Sequence, residues 1–435
     1  MATMAEHPDV EGYPEPEHQH ERLCNFFSDG LRRSRVRLYQ MAIFASMGWI
    51  GWLLLGLSNA PHRTYATCPQ PSLPDLALQQ VLSDASQIFG ISPPPPSKMT
   101  TGATWMSHYP DSTQLTHLTI PGAHDAATWN FSASTRDSLP PDAGTRDPAY
   151  FRTQRASIAS SLEAGLRFFD LRYALDPTGT TLVFWHHDAL LSEVARVSDV
   201  MFGFYAWLEA HKTETLLLSF QYEGGTAPGA ENSALVQRQL FDVLTSPGAR
   251  RYILQTRDEL GALGPARGKI ALLRRFDLDG LPPAYQASLP GIHLSPTLWP
   301  VNSPGFELVY NPSRRLAAYI EDYYETNDLP VGLNASVNIA KKFEAVAAHL
   351  RMAAGEEGKE DSLFITFASG EHSDNVPPVF PEIMAVGNGT EYTPDGGVNQ
   401  QLIPVLRDLK GQRLGVVVLD YWDEPGELVD AILGL

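Results

Sequence analysis

From Thr101 to the C-terminus, short apolar runs rich in β-branched and aromatic residues alternate with stretches of helical period. The strands expected on this pattern are 115–120 (LTHLTI), 165–173 (GLRFFDLRY), 181–185 (TLVFW), 215–222 (TLLLSFQY), 269–276 (KIALLRRF), 363–368 (LFITFA) and 414–421 (LGVVVLDY). Helices are expected at Ser157–Glu163, Ser192–His211, Asn232–Leu244, Ser313–Tyr324, Ala335–Ala354 and Val398–Lys410. Strands alternating with helices imply a mostly parallel sheet. The length fits a distorted TIM (β/α)8-like barrel better than two smaller α/β domains. A doubly wound open sheet is the alternative, but no Gly-rich phosphate loop follows the first strand.

Upstream the pattern changes. Leu38 to Leu57 is an uncharged apolar run of about 20 residues, enough as a helix to span a bilayer core. Arg32, Arg33, Arg35 and Arg37 precede it, while Arg63 and then Lys98 follow. That asymmetry puts the N-terminus in the cytoplasm and the rest across the membrane. A signal peptide would have an unusually long, acidic basic region, and a buried core helix would carry a polar face, so an uncleaved type II anchor fits best. Residues 1–37 read as a disordered cytoplasmic tail and 59–100 as a linker, with a short helix near Asp75–Phe89 and then four prolines, Pro93–Pro96. The barrel, 101–435, is then lumenal or extracellular. Sequons at Asn130, Asn334 and Asn388 agree with that side; Asn311 is blocked by Pro312.

Composition narrows the partners. A net charge of −18 makes a nucleic-acid partner a poor fit and would repel an anionic membrane from most of the surface. Both cysteines, Cys24 and Cys68, lie N-terminal to the barrel, so no disulfide framework or cysteine zinc site can be built there.

The candidate chemistry sits at strand ends. Ile120-Pro-Gly-Ala-His124-Asp125 closes the first strand, and Asp170 and Arg172 share one face of the second. Trp185-His186-His187-Asp188 follows the third, and adjacent residues on a strand face oppositely, so one histidine of the pair reaches the site. Asp420 ends the last strand, which barrel closure sets beside the first and so near His124. A lone histidine, arginine or aspartate at a strand end is more often structural; this constellation reads as catalytic.

These segments, IPGAHD, GLRFFDLR, WHHD, RGKIALLRRF, IEDYYE and GVVVLDYWDEP, resemble in order the X-domain of phosphatidylinositol-specific phospholipases C, above all the bacterial single-domain type. The resemblance implies His124 as general base, His187 as general acid, Arg172 as phosphate ligand, Asp125 supporting the Arg172/His187 side and Asp420 orienting His124. It implies Arg275, Asp322 and Tyr324 for inositol hydroxyls. The reaction would form a cyclic phosphate and a diacylglycerol-like lipid, without metal or other cofactor, from a phospholipid or glycosyl-phosphatidylinositol-like substrate. Gln221-Tyr222-Glu223 stands where the bacterial enzymes carry a lysine. Two rivals are a metal-dependent glycerophosphodiesterase or sphingomyelinase-D-like enzyme and a non-catalytic lumenal binding protein. The first needs an acidic pair on the second strand, where Arg172 stands instead and cannot ligate a metal.

Overall fold

The computed structural model describes residues 71–91, 101–139, 146–227, 229–355 and 359–435. The expected tail, the membrane span Leu38–Leu57, Cys24, Cys68 and the Pro93–Pro96 run lie outside them. Among the described residues no helix is long and apolar enough to cross a membrane.

Eleven strands form in these regions: β1 (Ile120–Ala123), β2 (Phe168–Leu175), β3 (Leu182–His186), β4 (Ala189–Leu190), β5 (Thr215–Tyr222), β6 (Lys269–Arg275), β7 (Ile292–His293), β8 (Ser303–Asn311), β9 (Leu316–Asp322), β10 (Leu363–Phe367) and β11 (Val416–Leu419). The hydrogen-bonded order is β7-β6-β5-β2-β1-β11-β10-β9-β8. From β7 to β9 every pairing on this path is parallel, and β8 adds an antiparallel edge to β9. β7 and β8 do not pair, so the barrel is nearly rather than fully closed. β3 runs antiparallel on β2 and with β4 leaves the barrel wall.

Two-residue periodicity sorts the strands' side chains. One phase, with Ile120, Phe168, Leu217, Leu273, Ile320, Ile365 and Val418, packs into a single apolar cluster. The other, with Phe169, Leu218, Leu272, Val417 and Leu419, packs in a second cluster that includes the surrounding helices. The first phase therefore fills the barrel, and continuing it toward the C-terminal strand ends gives Asp170 and Arg172, Arg275, Asp322 and Asp420. Gly122 is required in β1: a Cβ there would lie 2.8 Å from the Phe168 side chain of β2.

Three expectations are corrected. Ser313–Tyr324 is not a helix. Its LAAYIED core is strand β9, hydrogen-bonded between β8 and β10, and sheet pairing outweighs the weak helical propensity of its alanines. The segment 115–120 begins as a 3-10 turn at Leu115–His117, and the first strand comes later, at Ile120. The folded unit starts at Pro71 rather than Thr101. Helix Leu73–Phe89 is capped by the reciprocal Ser72–Asp75 pair and packs on the barrel's outer layer. There Phe89 meets Phe204 edge-on, with ring centroids 5.3 Å apart, and the Trp129 indole donates to the Ile88 carbonyl.

Candidate active site

At the C-terminal ends of the parallel strands lies a cavity of about 670 Å³. β1 and β11 pair from Ile120↔Val416 to Ala123↔Leu419, so the next residue on each, His124 and Asp420, come together. The His124 Nδ1–H donates to Asp420 Oδ1 at 2.8 Å, and Asp420 Oδ2 accepts from the Gly370 amide. On the ring's other side, the Arg172 Nη2–H donates to His124 Nε2 at 2.7 Å. Arg172 is itself held by carboxylates: Asp170 at 3.3 Å, Asp125 at 3.6 Å and Glu223 at 3.7 Å.

This packing shifts protonation. Burial pulls the His124 pKa down, but the charge and hydrogen bond of Asp420 more than offset it and hold the imidazole above its ordinary 6.5. Burial pushes the Asp125 carboxyl up to about 7 despite the nearby Arg172. Burial also opposes ionisation of Asp170, yet Arg172 and Arg275 keep it below the usual carboxylate range. Arg172 is half-buried, and Asp125 and Asp170 leave it more firmly protonated than a free guanidinium.

The two neighbouring histidines part company. His186 ends β3 and points inward; its Nδ1–H donates to the Phe151 carbonyl at 2.6 Å and approaches Asp125 Oδ2 at 3.3 Å. Its ring centroid lies 6.5 Å from that of His124. Burial, reinforced by Arg172, lowers its pKa to about 4. His187 leaves the strand at φ 52°, its amide donates to Glu223 Oε1, and its half-exposed ring contacts Asp188 at the cavity rim. Both line the cavity. The histidine beside Asp125 is thus His186, not His187 as expected, because β3 ends with His186 on the inward face.

The three expected headgroup residues also converge. Arg275 lies 3.6 Å from Asp322, which accepts from the Trp299 indole, and its guanidinium stacks over that indole with 3.6 Å to the ring centroid. Tyr324 lines the same wall. Asp322 ends strand β9 rather than a helix, which is what aims it into the cavity. Reasoning from sequence missed Trp299 and Glu371. Both reach the cavity from loops, and no local pattern marks them. Among the described residues no group of three or more His, Cys, Asp or Glu is arranged to hold a metal ion.

A near-closed parallel barrel with two histidines, an arginine and several aspartates at one mouth can be compared with known proteins. No family model matches the chain. Mouse PI-PLC X domain-containing protein 1 is 31% identical over 143 residues, 28% of this chain and 41% of that protein. A 1-phosphatidylinositol phosphodiesterase of Staphylococcus aureus is 21% identical over 341 residues, 76% of this chain and 92% of that one. Among solved structures, a Staphylococcus aureus phosphatidylinositol-specific phospholipase C superposes with a TM-score of 0.59 at 18% identity, covering 77% of this chain and 98% of that one. The Listeria monocytogenes enzyme gives 0.51 at 18% identity, with the same coverage. The chain is thus similar in sequence to phosphatidylinositol-specific phospholipase C X-domain proteins and shares the fold of the bacterial enzymes.

Proposed function

We propose that the chain is a phosphodiesterase of the phosphatidylinositol-specific phospholipase C type, cleaving a phosphoinositide or related phosphodiester. The observation that carries it is the Asp420–His124–Arg172 relay, which sets a raised-pKa imidazole beside a fixed cation at the cavity floor. With a phosphodiester bound, the Arg172 fork turns from His124 to the nonbridging oxygens and offsets the charge growing there. His124 Nε2 then removes the proton from a hydroxyl neighbouring the phosphate. That oxygen bonds to phosphorus, the bond to the lipid oxygen breaks, and an imidazolium returns a proton to the leaving oxygen. The products are a cyclic phosphate and a diacylglycerol-like lipid. Arg172 supplies the positive charge that a metal provides in the rival enzymes.

His187, half-exposed at the cavity rim, is proposed as the general acid on the resemblance. A second reading gives the acid role to His186, because its ring lies across the cavity from His124 and its Nδ1 is anchored on Asp125 and Phe151. Turnover of phosphatidylinositol by the purified protein, with product identified as cyclic or open phosphate, tests the proposal. An open phosphate as first product would mean direct attack by water. Arg275, Asp322 and Tyr324 are proposed to hold headgroup hydroxyls. The type II anchor Leu38–Leu57, with the barrel lumenal or extracellular, is proposed with this activity, since it would keep the catalytic domain beside lipid.

A further inference from the structure

The cavity walls carry more negative than positive charge. Glu223, Asp277, Asp279, Asp322 and Asp420 line it against Arg146, Arg172 and Arg275, while burial pushes the Glu371 carboxyl among them up to about 7. Arg172 is already matched by Asp170 and Asp125, and Arg275 by Asp322. A phosphodiester brings one more negative charge, so the cavity is poorly matched to its own anionic ligand unless the rest of that ligand compensates.

Glu223 shows where compensation is missing. It is only 7% exposed, yet it faces the cavity. Its Oε1 accepts from the His187 amide at 2.9 Å, while its buried Oε2 accepts no hydrogen bond; Arg172 lies 3.7 Å from it, and the charge of Arg275 reaches it from farther off. A buried carboxylate oxygen without a donor costs free energy unless a ligand brings one. Moreover, Arg172 must loosen from its carboxylates when it grips a phosphate, which leaves Glu223 further uncompensated. The neighbouring Gly225, at φ 76°, adds no side chain to fill the space next to His187.

Resting on the phosphodiesterase reading, we propose that the preferred substrate is a phosphodiester whose alcohol headgroup carries an ammonium group, and that Glu223 is the residue that selects it. Glu223 meets the ammonium while Arg172 meets the phosphate. A headgroup bearing additional phosphates is repelled by the same wall.

The test uses the full chain with mixed micelles of phosphatidylinositol, glucosaminyl-phosphatidylinositol and its N-acetylated form. The free amine should raise kcat/KM at least about tenfold over the acetylated lipid, the order expected for one close charge pair. Added salt should shrink that ratio, and Glu223→Gln should bring it to near one. A general structural defect in the variant would lower all three rates together and leave the ratio unchanged. Equal rates for the amine and its acetamide in the wild-type protein would overturn the inference while leaving the phosphodiesterase reading intact. If no lipid is cleaved, that reading fails. Calorimetry with soluble glucosaminyl-inositol phosphate and its N-acetyl form then decides the inference, equal affinities overturning it.

Discussion

The Nε2 of His124, the atom that would take a proton from substrate, is capped by the Arg172 guanidinium at 2.7 Å. One contact therefore joins the phosphate ligand to the base. A phosphate that draws Arg172 away also frees the His124 lone pair, so base strength and substrate binding are coupled. His124→Ala should cost about 10³-fold in kcat and Arg172→Ala about 10²- to 10³-fold, both with unchanged folding by circular dichroism. Near-wild-type turnover in either variant would remove the relay from the mechanism.

The acid role separates the adjacent histidines. If His187 donates the proton, His187→Ala should lose about 10²-fold or more on lipid but much less on a substrate whose leaving group needs no proton, such as a nitrophenyl ester. His186→Ala should then behave mainly as a packing defect. The reverse pattern would assign the acid to His186. In that case its pKa, about 4, must rise on phosphate binding, and the basic limb of kcat should lie well above that of kcat/KM.

The pH dependence has a fixed sign on its acid side. His124 must be neutral to act as a base, and Asp420 holds its pKa above 6.5, so activity should fall as pH drops through that raised value. Asp420→Asn removes the charge and keeps a hydrogen bond. The acid limb should move to lower pH and the plateau rate drop, by less than loss of the imidazole itself causes. An unmoved limb would mean that another group, Asp125 with its pKa near 7 being the nearest, governs it.

Chelation distinguishes the rival chemistry. With Arg172 supplying the cationic charge, turnover should be unchanged by excess EDTA and by added calcium or magnesium. A loss restored only by a divalent ion would move the chain to the metal-dependent class.

Topology is open to a direct check. In sealed microsomes the barrel should resist added protease, and its mass should fall on deglycosylation. Asn334 and Asn388 are exposed, whereas Asn130 is half-buried, so occupancy should be highest at the first two. Digestion of 101–435 without detergent would overturn the anchor orientation.

The sequence by itself determined the parallel barrel, the strand ends that bear chemistry and the meeting of His124 with Asp420. Strand period and the adjacency of first and last strands are local or topological rules, and β1 and β11 obey both. Asp170 and Arg172 on one face follow from the same alternation. Only the tertiary structure decided the rest. The segment Leu316–Asp322 is alanine-rich enough to read as a helix, and pairing between β8 and β10 makes it a strand that aims Asp322 inward. The helix Leu73–Phe89 joins the domain because Ala85, Ile88 and Phe89 find partners distant along the chain, from Trp129 to Phe204. Trp299 and Glu371 reach the cavity from loops, whose course no hydrophobic period encodes. His186 and His187 are chemically identical neighbours; the end of β3 and a positive φ alone set one against Asp125 and the other at the rim.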